Sequence, residues 1–315
     1  MATGEVAMKI RLSGLVFVAG LVCASCQHDA QSFDRQQFEA ENLEWRAARL
    51  ARLKGPDGYL NLAGLHWLTH GTQTVGSGSD NDVVLPAGAP ESVGVLQVSA
   101  DGVVLQVAEG VAVSADGLPV DSVYVADDTT AEPVTITHGA IAWTIIRRDN
   151  RFAMRVRDFE HPAIAAFPPI EYYPLAPDWR VPAILKRFDA PKVLQVDTVI
   201  AGLGWQPESP GVVEFELHGQ TLQLEAYASG DELFFVFGDQ TSGRETYPAG
   251  RFLYAKLPAD GDTTYLDFNR AYNPPCAFND FATCPVASPQ NRLPVRIEAG
   301  EKFDPEVHAT PASIH

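Results

Sequence analysis

Several signatures that would name a reaction are missing from this chain. It has no Gly-x-Ser-x-Gly elbow, no Gly-x-x-x-x-Gly-Lys phosphate loop, no dinucleotide glycine fingerprint and no His-Glu-x-x-His pair. The common esterase, nucleotide-handling and metalloprotease readings therefore lose their support. No cofactor or metal is expected on these grounds, whereas paired carboxylates for glycoside hydrolysis leave no trace in a sequence and stay open. Positive charge is also scarce, with 23 Lys and Arg against 40 Asp and Glu and a formal net charge of −17. Such a surface opposes a nucleic-acid backbone, which is bound through Lys and Arg releasing counterions, and it opposes docking of the folded surface on anionic lipid. Long apolar runs are missing as well. The longest, Leu12 to Ala24, is too short for a stable membrane-spanning helix.

That run follows Lys9 and Arg11, the charged-then-apolar layout of an export signal over residues 1–25. Ala24 and Ser25 directly precede Cys26, which is similar to a bacterial lipoprotein processing site where the cysteine becomes the lipidated first residue. The expected location is the periplasmic side of the cell envelope, with the membrane met only through the lipid anchor. Simple signal cleavage nearby, releasing a soluble protein, is the alternative. Residues 26–32 then read as a polar tether.

Beyond the tether, residues 33–54 contain no Gly or Pro, Ser32 can cap the start, and Phe38, Leu43, Trp45, Leu50 and Leu53 supply an apolar face. This is a helix, stopped by Gly55-Pro56-Asp57-Gly58. Arg46, Arg49 and Arg52 form either a solvated basic face or a set of contacts to acids below it, the former being the simpler expectation. From Tyr59 onward, short Val, Ile, Leu and aromatic runs are broken about every ten residues by Gly, Asp-Gly and Pro, the pattern of antiparallel β-structure. Expected strands include Gly94 to Val98, Val103 to Val107, Ala142 to Arg147, Ala153 to Arg157, Val193 to Ile200, Gly211 to Leu217, Gln220 to Tyr227, Phe252 to Lys256 and Val295 to Glu298. Asp101-Gly102 and His218-Gly219 read as hairpin turns. Prolines cluster between Asp158 and Asp178, which suggests a boundary. The expected fold class is all-β: a helix, a β-sandwich over 55–160, a second antiparallel barrel or sandwich over 161–303, and a tail over 304–315.

Chemistry-bearing residues concentrate late in the chain. Asp239, Thr241, Ser242, Arg244, Thr246, Tyr247, Arg251, Asp267, Asn269, Arg270, Tyr272, Asn273, Asn291 and Glu301 lie among turn-forming Gly and Pro. Arg251 and Arg270 carry forked guanidinium groups suited to a carboxylate or phosphate. The expected ligand-binding set is Asp239, Thr241, Ser242, Arg251, Asn269, Arg270, Tyr272 and Asn273, taking a small polar or anionic molecule. A hydrolytic enzyme is the alternative, with Asp267 or His66 as the general base and the arginines stabilising negative charge. A structural envelope protein, whose polar cluster satisfies its own hydrogen bonds, is the third. Cys276 and Cys284 read as a mutual disulfide after export; a nucleophilic thiolate would need a neighbouring base, and zinc would need closer spacing and two more ligands.

Two resemblances follow from longer motifs. Thr74-Val-Gly-Ser-Gly-Ser-Asp-Asn-Asp-Val-Val-Leu-Pro86 with Asp116-Gly-Leu-Pro-Val120 weakly resembles a forkhead-associated sandwich. Such domains bind phosphothreonine, but Ser77 stands at the position of the binding arginine, so the resemblance implies fold alone. Gly58 to Leu68, Phe152 to Asp158, Asp239-Gln-Thr-Ser-Gly243, Thr246 to Leu253, Asp267 to Phe278, Thr283-Cys-Pro285 and Asn291-Arg-Leu-Pro294 together resemble the domain-of-unknown-function family 1684. That family implies no catalytic residues.

Overall fold

The computed structural model describes residues 1, 2, 4 and 34–304. The export signal, Ser32, the tether with Cys26, and residues 305–315 of the tail lie outside that range, apart from positions 1, 2 and 4. Among the described residues no helix is long and apolar enough to cross a membrane. The protein is mostly β, with one N-terminal helix and several antiparallel sheets.

Helix α1, Arg35–Lys54, buries Phe38, Asn42, Arg49 and Leu53. Its buried stripe is thus half polar. Leu43 points to solvent, and Arg49 takes the place the apolar pattern assigned to it. The helix stops where Gly58 folds back beneath it: a Cβ there would lie 2.2 Å from the carbonyl oxygen of Leu53. Only glycine lets the chain pass that close.

The strands that follow are β1 Leu62–Trp67, β2 Gly71–Gly76, β3 Val83–Val84, β4 Gly94–Ser99, β5 Gly102–Val107, β6 Ser114–Ala115, β7 Leu118–Pro119, β8 Ser122–Val125, β9 Thr135–His138, β10 Ile141–Arg148 and β11 Arg151–Asp158. They form two sheets, ordered β1-β11-β10-β9-β6-β7 and β3-β2-β4-β5-β8. Val75, Leu96, Val103 and Leu105 of one sheet share a core with Ile136, Trp143, Ile145, Met154 and Val156 of the other, which makes a sandwich. β2 and β3 pair in parallel, held by Asp82, whose carboxylate accepts from Thr74 N at 2.7 Å and Thr74 Oγ1 at 2.9 Å. Ser77 donates its hydroxyl to Ala89 O at 2.8 Å.

A short helix α2, Pro162–Ala166, leads into the second half. It contains β12 Arg180–Val193, β13 Val196–Asp197, β14 Gly204–Trp205, β15 Glu208–Leu217, β16 Gln220–Ser229, β17 Glu232–Phe237, β18 Arg251–Lys256 and β19 Thr263–Asp267. Apart from the small β13-β14 pair, these form one antiparallel sheet ordered β18-β17-β16-β15-β12-β19, curled until it is nearly a barrel. Its interior holds Val181, Leu185, Val213, Phe215, Leu224, Phe235, Phe237, Leu253, Leu266 and Phe268. His218 and Gly219 both have positive φ, 51° and 75°, and close the β15-β16 hairpin as expected. At the other expected turn, Ser99 pairs with Gly102, so the loop residues are Ala100 and Asp101.

Two strand expectations need correction. Val193 to Ile200 is not one strand, because β12 ends at Val193 and β13 covers only two residues. Val295 to Glu298 joins no sheet at all. That segment instead packs into the barrel core with Ile297 and Ala299 fully buried, and its carbonyls are met by a side chain.

Candidate functional site

The side chain in question is Arg251, at the first position of β18 and fully buried. Its Nη2 bonds Asp239 Oδ2 at 2.9 Å and Ile297 O at 2.9 Å, while Nη1 bonds Ala299 O and reaches Glu301 O at 3.4 Å. The planar fork therefore does for the 297–301 segment what a neighbouring strand would do. Nε alone is without a partner. Asp239 is occupied on both oxygens, since Oδ1 accepts Thr241 N at 2.8 Å and Ile297 N at 3.2 Å. Both side chains of the pair have 0% exposure.

The surrounding turn bonds to itself. Thr241 and Thr246 share a 2.8 Å hydroxyl contact, Ser242 Oγ accepts from Asp239 N at 3.1 Å, and Thr241 O receives the N–H groups of Arg244, Glu245 and Thr246. These are the local bonds that Asp, Thr and Ser make in turns. Tyr247 donates to Cys276 O at 3.0 Å, and Asn291 bonds the backbones of Glu225 and Val236.

A second buried ion pair adjoins the first. Arg49 of α1 bonds Glu301 Oε1 at 3.0 Å and Asn273 O at 2.8 Å, and its guanidinium lies 4.5 Å from the centre of the Tyr272 ring. Glu301 Oε2 accepts Asn273 N at 2.7 Å, while Asn273 Nδ2 donates to Lys302 O at 2.8 Å. Burial among these groups raises the Tyr172 and Tyr272 hydroxyls well above the usual phenol range. Arg46 caps the assembly, 4.0 Å over the Tyr172 ring, and bonds Tyr173 O at 3.2 Å. The solvated-face expectation therefore fails for Arg46 and Arg49 and holds for exposed Arg52.

Asp267, Asn269 and Arg270 form the third group. Asn269, 1% exposed, exchanges both amide functions with the Ala176 backbone and also bonds Asp267 Oδ1 at 2.9 Å. Arg270 stands 3.6 Å from Asp267, 4.0 Å from Glu41 and 3.4 Å from Asn42 Oδ1. A third of its side chain is exposed, and it lines a hollow of about 360 Å³ with Glu41, Glu44, Trp45 and Ala48. His66 sits elsewhere, in β1 opposite Met154, and burial lowers its pKa. Among the described residues, no hydrogen bond or ion pair joins it to Asp267, Arg251 or Arg270.

Cys276 and Cys284 are free thiols that face each other across their loop. The Cys276 N–H points at Cys284 Sγ (3.2 Å) and the Cys284 N–H at Cys276 Sγ (3.3 Å).

Sequence reasoning missed the partnership of Arg49 with Glu301, because 252 positions separate them. It also missed Arg155, whose buried Nε has no partner and whose charge reaches both cysteines. A run of arginines along β10 and β11 in an acidic chain was the available signal.

The family model described as "Protein of unknown function (DUF1684)" matches residues 165–302. The Gly58 to Leu68 and Phe152 to Asp158 motifs lie outside that match. A solution NMR structure of an uncharacterized protein from Haloarcula marismortui is 30% identical, covering 44% of this chain and 79% of that one, with a TM-score of 0.38. The FHA-2 domain of a Mycobacterium tuberculosis ABC transporter is 23% identical, covering 28% of this chain and 77% of that one, with a TM-score of 0.22. No curated protein matches. The DUF1684 family match therefore falls on residues 165–302, the half of the chain that holds the barrel.

Proposed function

We propose that this protein is exported, anchored through Cys26 to the periplasmic side of a bacterial membrane, and serves there as a structural component without catalytic turnover. The observation that carries the reading is the Asp239–Arg251 pair, fully buried and bonded to the protein's own backbone. A guanidinium meant for an external carboxylate or phosphate keeps donors facing solvent. Here four contacts to the protein occupy both terminal nitrogens of Arg251. Thr241, Asn269 and Asn273 are likewise bonded inward.

One observation favours a second reading, that of a small-ligand binder. Arg270 reaches solvent in a hollow it shares with Trp45, Glu41 and Glu44. Two carboxylates beside one guanidinium and an indole suit a small zwitterion or amine better than a free anion.

A panel of amino acids, amines, carboxylates and phosphate esters, read by thermal shift together with ester, phosphate and glycoside turnover, separates the readings. The structural reading expects neither a shift nor turnover. A shift abolished by Arg270→Ala would replace it with the binder, and turnover lost in Asp267→Asn would replace it with the enzyme.

A further inference from the structure

The loop that carries both cysteines is fastened at several points. Asn279 donates to Tyr59 O at 3.0 Å, Val199 N bonds Cys284 O at 2.9 Å, Val286 N bonds Asp197 O at 2.9 Å, and Thr198 bridges Pro285. The two sulfurs meet where this loop packs into the apolar cluster of Leu62, Val196, Tyr227, Phe234 and Phe252, which joins β1 to the barrel sheet. They are not equivalent. Cys284 is buried, 5% exposed, whereas Cys276 is partly open.

Each sulfur faces its partner's N–H, and the Arg155 charge favours a thiolate at either. Hydrogen bonding from Cys284 lowers the Cys276 pKa against the opposing effect of burial. Burial drives the Cys284 thiol in the other direction, keeping it protonated.

We propose that Cys276 and Cys284 are an ordered thiol–disulfide exchange pair, in which Cys276 attacks first, Cys284 resolves, and closure latches the 276–284 loop onto the seam between β1 and the barrel. The co-reactant is an external disulfide, either a small molecule or the oxidised dithiol of another protein. Cys276 thiolate attacks one of its sulfurs, forming a mixed disulfide and releasing a thiolate that takes up a proton. Cys284 then loses its proton and attacks Cys276 Sγ, expelling the second thiolate. Two protein thiols are oxidised by two electrons, and the external disulfide is reduced to two thiols.

The test starts from fully reduced full-length protein in which Cys23→Ser and Cys26→Ser leave Cys276 and Cys284 as the two thiols, the wild type for this purpose, treated with oxidised glutathione and read by intact mass. Wild type is expected to lose two hydrogens without retaining glutathione, and to melt roughly 4–8 °C higher than the reduced form. Cys284→Ala is expected to trap a stable glutathione adduct on Cys276, and Cys276→Ala to remain unmodified. A lasting adduct on wild type, two thiols still titratable after oxidation, an unchanged melting temperature, or faster modification of Cys284 than of Cys276 would each overturn the proposal. Should either variant fail to fold, brief alkylation of native wild type decides the order. Label found first on Cys276 supports it, and label found first on Cys284 refutes it.

Discussion

Arg251 does two jobs with one planar group. It balances a buried carboxylate, and it supplies the hydrogen-bond donors that the carbonyls of Ile297 and Ala299 would otherwise lack. Leaving those buried carbonyls unmet would cost about 1–3 kcal/mol each. Removing the cation would leave Asp239 charged and enclosed, a larger penalty of about 3–5 kcal/mol. Arg251→Ala is accordingly expected to destabilise the protein by at least about 3 kcal/mol in chemical denaturation. Arg251→Lys should recover little, because an ammonium has only three donors on one nitrogen and cannot fork across four acceptors. The double variant Arg251→Ala with Asp239→Ala should lose less than the two single losses added together. An Arg251→Ala protein as stable as wild type would remove the basis for regarding this pair as internal architecture.

Among the elements, α1 contributes most by position. Its arginines reach across to the last described turns of the chain, where Arg49 meets Glu301 and Arg46 covers Tyr172. Arg49→Ala should therefore destabilise the barrel by about 3–5 kcal/mol, not merely fray a surface helix. Hydrogen exchange should show new exposure at Asn273 and Glu301, and exposure confined to α1 would contradict the assignment. The strands themselves were legible wherever alternation was clean, as in β4, β5, β10, β11, β15 and β16. β12 was not, because Pro182 and Pro191 interrupt a run that also carries Lys186 and Arg187. Pro182 is tolerated by facing outward, while Val181, Ala183 and Leu185 point into the core. Polar burial was illegible for a different reason. Nothing local distinguishes Arg49, which is enclosed, from Arg52, which is solvated, and only a partner 252 positions away decides it. Proximity in sequence suggested Asp267 as the partner of Arg251 or Arg270, which holds for Arg270, whereas Arg251 pairs with Asp239 in the core.

For the whole molecule, a strongly acidic surface and a single acylated residue would divide the work. The surface would keep the body off anionic lipid, and the anchor alone would hold it near the bilayer. Cys26→Ser should then move the full-length protein from the membrane fraction to the soluble fraction with its melting temperature unchanged. A variant that still sediments with membranes at high salt would show that the folded body itself binds there, contrary to the charge argument. Arginine is spent inwardly at Arg49 and Arg251, but each is matched by an enclosed carboxylate, Glu301 and Asp239, so the outside keeps the negative balance of the composition.

The order in which the chain is synthesised gives the Arg251 clamp one more consequence. Asp239 precedes Arg251 by 12 positions and can neutralise it early, but the carbonyl at Ala299 arrives 48 positions later. Until then the barrel core lacks Ile297 and Ala299, and two of the Arg251 donors have no carbonyl to meet. A polypeptide truncated before residue 297 would thus carry its own mark of incompleteness, more open to proteases than the finished protein whose last core residues hold the clamp.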